Sequence, residues 1–137
     1  MNYDLEMIKE LCRELGLRVV TRSADRVAVD LEEGPVLIFV NAEEQEDSRV
    51  GFEGMSWHYH GKLICTDRHG NYIELGYLDV LTGLVDGKVL LCELWGEGKL
   101  QDCWLVHRDF IDEFGYLRAG EEVRVRRVSS QGGVPGN

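Results

Sequence analysis

The densest chemistry in the chain lies in Gly54-Met55-Ser56-Trp57-His58-Tyr59-His60-Gly61, which holds two of the four histidines. Side chains alternate along an extended strand, so Trp57 and Tyr59 point one way and His58 and His60 the other. The two imidazoles then stand about 7 Å apart, a spacing that presents two nitrogen ligands to zinc or another transition metal. A metal site needs at least one more ligand. Cys65, His69, His107 or a carboxylate could supply it, and no second motif selects among them. The competing expectation is a hydrogen-bonded histidine pair with no metal and no cofactor.

Cysteine nucleophiles are the next candidates. Cys65 precedes His69, and Cys103 precedes His107, each by four residues. That spacing joins side chains on a helix, whereas a strand and a turn are expected here. Four cysteines without C-x-x-C spacing read as reduced thiols of a cytosolic protein. The chain carries no glycine-rich phosphate cradle, no G-x-S-x-G elbow and no H-E-x-x-H pair. No catalytic residue is therefore assigned.

Charge points elsewhere. Twenty-five acidic against fifteen basic residues give a net charge of −10. Such a field repels a phosphate backbone and steers in a basic protein, although solubility alone also accounts for it. The run Glu43, Glu44, Glu46, Asp47 is a solvated loop or a landing patch for a basic partner. No apolar run reaches membrane-spanning length, and the acidic start is unlike a secretion signal.

The elements that position these groups follow from periodicity. Leu5, Ile8, Leu11, Cys12 and Leu15 form one stripe of a helix over 3–15, capped by Asn2 and ended by Gly16. Three strands follow, at 17–22, 26–31 and 35–40. The last is continuously apolar, the pattern of a central strand covered on both faces. Asn71 to Glu74 matches a capping box opening a second helix, with a short strand at 72–75 as the alternative.

Residues 88–95 and 100–107 form a hairpin about Gly96-Glu97-Gly98-Lys99. A symmetric loop would oppose Cys92 to Cys103 and Glu93 to Asp102. Two facing carboxylates need compensation, and Arg124 or Arg126 could give it. Otherwise Glu93, Trp95, Asp102 and Trp104 form an acid-and-indole surface for a basic partner. One or two helical turns at 108–114 and a basic edge strand at 122–128 complete the pattern.

The expected fold is α+β. A mostly antiparallel sheet of six to eight strands, a meander plus the C-terminal hairpin, carries an N-terminal and a central helix. It forms one acidic domain over 1–128, monomer or homodimer, with a disordered tail at 129–137.

The order Trp57-His58-x-His60, a helix ending in Asp86-Gly87-Lys88-Val89, and a hairpin with Trp104-Leu105-Val106 resembles a loose set of small bacterial proteins. Several of these are immunity proteins encoded beside polymorphic or contact-dependent toxins. The likeness spans roughly 54–106. It implies a cytosolic, non-catalytic protein that neutralises a toxin by binding it, and it carries over no binding residue. The alternatives are a small cupin-like or barrel metal protein built on His58 and His60, or a structural assembly subunit.

Overall fold

A computed structural model describes residues 3–20, 23–31, 34–42, 47–111 and 117–128, without the side chains of Ala42 and Asp47. The first helix, α1 (Leu5–Leu15), is capped by the Asp4 carboxylate, which accepts from the Met7 amide, and ends at Gly16 with φ 76°. Asn2, the expected cap, lies outside the described residues. Ile8 and Cys12 are fully buried on the helix's inner stripe. Tyr3 fastens the helix start. Asn41 accepts from the Tyr3 amide at 2.8 Å and donates to its carbonyl at 2.8 Å, while the Tyr3 hydroxyl donates to Gly61.

Five strands form one antiparallel sheet in sequence order: β1 (Arg18–Val19), β2 (Arg26–Asp30), β3 (Val36–Ala42), β4 (Asp47–Phe52) and β5 (His58–His60). Alternation sorts the sheet into two faces. Val27, Val29, Leu37, Phe39 and Val50 are wholly buried on the inner one. The outer one carries Val36 and Ile38, which stay half-buried. The continuous apolar run of β3 therefore does mark the central strand, but one of its faces remains partly open.

A two-stranded sheet follows, β6 (Leu63–Thr66) with β7 (Tyr72–Leu75). This overturns the capping-box reading of 71–74 and matches its alternative, a short strand at 72–75. Ile73 and Leu75 alternate inward opposite Cys65 and Leu63, and that pairing outweighs the local cap. The helix α2 (Tyr77–Asp86) begins only after Gly76, which is extended. Its C-terminus has no basic residue of its own, and Arg127 supplies one by donating to the Val85 carbonyl at 2.9 Å.

The third sheet is β8 (Val89–Gly96) between β9 (Lys99–His107) and β10 (Glu121–Arg126). Glu97 and Gly98 both take positive φ, 53° and 76°, so the hairpin closes on a two-residue turn. A 3-10 turn at Arg108–Phe110 is all that the described residues show of the helical stretch expected at 108–114.

Val80, Leu81 and Leu84 of α2, Val89 and Leu91 of β8, and Leu105 of β9 join the inner face of the five-stranded sheet in one hydrophobic cluster. The fold is α+β and mostly antiparallel sheet, with ten strands among the described residues rather than six to eight. The expected tail at 129–137 lies outside the described residues. No described helix is long and apolar enough to cross a membrane.

Candidate functional site

The hairpin does not adopt the symmetric register. A bulge between Leu94 and Trp95 shifts the pairing by one residue beyond the turn. Trp95 still faces Leu100, but Cys92 faces Trp104, Glu93 faces Cys103, and Asp102 faces Leu94. Gln101 is the extra residue, and its side chain fills the space over Gly96 that a Cβ would need. The slip separates the two carboxylates that a symmetric loop would have opposed.

Each acid then has its own structural task. Glu93 points into the core, 6% exposed, and pairs with Arg126 at 3.6 Å between Oε2 and Nε. The Arg126 guanidinium lies against Gly34, where any Cβ would collide with Nη2. That nitrogen is enclosed and has no hydrogen-bond partner among the described residues. Asp102 instead accepts from the Trp57 amide at 3.3 Å and the Ser56 hydroxyl at 3.2 Å, tying the hairpin to the histidine stretch.

The indoles are half-buried rather than free. Arg124 lies 4.5 Å above the centre of the Trp95 ring and is itself held by Glu122 at 2.6 Å. Trp104 is half-buried opposite Cys92. Of the acidic run, Glu43, Glu44 and Glu46 lie outside the described residues, and Asp47 opens β4.

Trp57 and Tyr59 do share the half-buried side of their strand, with rings 5.6 Å apart, while His58 and His60 are exposed on the other. The imidazoles meet edge to face with centres 5.1 Å apart, and His58 Nδ1 donates to the Ser56 carbonyl at 3.0 Å. Among the described residues no group of three histidines, cysteines or acids could hold a metal. His107 is occupied elsewhere, accepting from the Asp109 amide to cap the 3-10 turn. His69 sits in an exposed turn organised by Asp67.

All four thiols are buried and unpaired. Burial pushes Cys12 up to about 11. Burial pushes Cys92 up to about 12, and burial with the nearby Glu93 and Asp102 charges does the same for Cys103. Cys65 is also raised, by burial, although its sulfur accepts from the His107 backbone amide. A thiolate is the attacking form, so these are packing groups rather than nucleophiles at neutral pH. We expect no thiol to react with an aromatic disulfide at pH 8 within minutes, and all four to react in denaturant. One fast native thiol would contradict this burial. Because the folded values lie above the ordinary 9.0, the thiols' contribution to stability is complete below pH 9 and is lost as pH rises above it.

The outer face of the five-stranded sheet is the feature that periodicity alone does not display. Its cross-strand register arranges side chains in three rows. The first reads Arg26, Val40, Arg49, His60. The second reads Ala28, Ile38, Gly51, His58. The third reads Asp30, Val36 and then Glu53, whose amide continues the ladder by donating to the Val36 carbonyl at 2.9 Å.

One row carries the cations, the middle one is apolar from Ala28 to Gly51 before it reaches His58, and the last carries the acids. Two hollows, about 310 and 400 Å³, flank a ridge made by Arg26, Ile38 and Glu53. The legible signal was Arg-x-x-x-acid at the same spacing in two strands, Arg26 to Asp30 and Arg49 to Glu53. It becomes a surface only when the register aligns the two.

Comparison with protein-family models, with curated proteins and with solved structures found no match for this chain.

Proposed function

We propose that the chain is a non-catalytic cytosolic binding protein of the immunity type, which neutralises a basic toxin or holds another basic protein. The observation that carries the reading is where the charge sits. Among the acidic residues whose burial is described only Glu93 is buried, so the others present their negative charge wholly or partly to the solvent. That charge attracts a basic surface and accelerates encounter.

The reciprocal bonds between Tyr3 and Asn41 set the acidic start of α1, Asp4 and Glu6, beside the end of β3, where the chain enters the run Glu43, Glu44, Glu46, Asp47. These acids, rather than Glu93 and Asp102, are then the partner-facing ones, since the latter two are engaged inside the molecule. The W-H-x-H resemblance supports the same reading.

The test is co-expression with the product of the adjacent gene. Restored growth together with a co-purifying complex is the expected outcome. A neighbour that is harmless and does not bind the chain would contradict the proposal.

A further inference from the structure

We propose that the outer face of the five-stranded sheet is a self-complementary docking surface for a second copy of this chain. The inference does not depend on the immunity-type reading.

Its first support is the sequence of β3. Val36 to Val40 is continuously apolar, the pattern of a strand covered on both faces, yet Val36 and Ile38 remain half-exposed on the outer side. Sheets that pack face to face sit about 10 Å apart with their side chains interleaved.

The second support is charge. β2 and β4 both run antiparallel to β3, so they share one direction. On that face each carries an arginine followed four residues on by an acid: Arg26 with Asp30 in β2, and Arg49 of β4 with Glu53 just past its end. Within one copy the opposite charges of a strand stand about 13 Å apart by strand geometry, too far to pair.

Arg49 and Glu53 are both exposed, and neither has an ion-pair partner among the described residues. Arg26 does hold Asp25 at 3.3 Å, and Arg18 approaches Asp30 at 3.9 Å. The Arg49 and Glu53 pair is consequently the decisive one.

A two-fold axis lying in the plane of contact, along the middle row, turns the cationic row of one copy onto the acidic row of the other. Arg49 then meets Glu53 of the second copy, and Arg26 meets its Asp30, each contact occurring twice. This is the reciprocity a two-fold interface requires.

Shape agrees with charge. The ridge Arg26–Ile38–Glu53 runs diagonally across the face, and its copy related by the two-fold axis crosses it at Ile38. The Arg26 end of one ridge falls into the hollow lined by Asp30, and the Glu53 end into the hollow lined by Arg49. Gly51 keeps the second hollow open. A Cβ there would come within 3.0 Å of the Trp57 carbonyl oxygen.

Sedimentation of the full chain and three charge variants tests this. At about 100 µM the wild type is expected at twice the mass of one chain. Arg49→Glu sets Glu against Glu53, and Glu53→Arg sets Arg against Arg49. Each should weaken the dimer by at least about 100-fold. The double variant R49E/E53R restores opposite charges across the axis and should recover the dimer.

Both positions are exposed, so the monomer should melt unchanged in every variant. A wild type that stays monomeric would overturn the proposal. So would a dimer indifferent to the single reversals, or a double variant that remains monomeric.

Discussion

Arg126→Met should destabilise the protein by about 2–3 kcal/mol, lowering the melting temperature by roughly 10 °C. The reason is what the substitution strands. Glu93 is 6% exposed, and Arg126 is the ion-pair partner that the described residues give it. Removing one member of a buried pair leaves a charge with neither water nor partner, at a typical cost of about 3–5 kcal/mol. Arg126 keeps 31% of its side chain exposed, so water relieves part of that cost.

The double substitution Glu93→Leu with Arg126→Met removes both charges and should return to within about 1 kcal/mol of the wild type. Urea titration of the four proteins closes the cycle. A single-variant loss below about 0.5 kcal/mol, the range of a surface change, would show that the pair is solvated.

Gly83→Ala should also destabilise, against the expectation from helix propensity. In an open helix the change would gain about 1 kcal/mol. Here a Cβ on Gly83 would sit 2.5 Å from Val89 Cγ2 and 3.3 Å from its Cβ. Val89 is 1% exposed and branched at Cβ, so it can neither swing aside nor rotate cheaply. Overpacking of this kind costs about 1–3 kcal/mol, leaving a net loss of up to about 2 kcal/mol.

The sign should reverse in a Val89→Ala background, where the added methyl fills vacated space. Urea midpoints for the two singles and the double decide it. A stabilising Gly83→Ala in the wild-type background would mean that α2 stands off from β8.

These two sites show what the sequence could and could not reveal. The α1 stripe, the Gly16 terminator, the meander and the C-terminal hairpin were legible because each follows from local periodicity and turn chemistry. The histidine stretch was also read correctly as a strand with its aromatics on one side. By helix propensity alone Gly83 signals no more than a weakened helix. Its reason, contact with Val89 six residues on, appears once α2 has packed on β8.

The capping-box pattern at 71–74 misled because pairing between β6 and β7 is tertiary and the cap is local. The hairpin face failed for a smaller cause. A single bulge residue, Gln101, reverses which side Asp102 shares, and no composition rule places a bulge. The partnership of Glu93 with Arg126 survived that slip, since β10 lies beside β8 whichever way the tip is closed.

The candidate surface was the least legible. Arg26, Asp30, Arg49 and Glu53 are unremarkable singly, and only the register of three strands lines them into rows. The acidic run at 43–47, by contrast, was evident in the sequence and needs no tertiary information to find.

The most direct measurement is the association rate of the purified chain with the adjacent gene's product at two ionic strengths. Surface negative charge steering in a basic partner predicts a rate near 10⁷ M⁻¹ s⁻¹ at low salt, falling by about tenfold or more in ~0.3 M salt. A complex whose rate is unchanged by salt, or no complex at either ionic strength, would contradict the account.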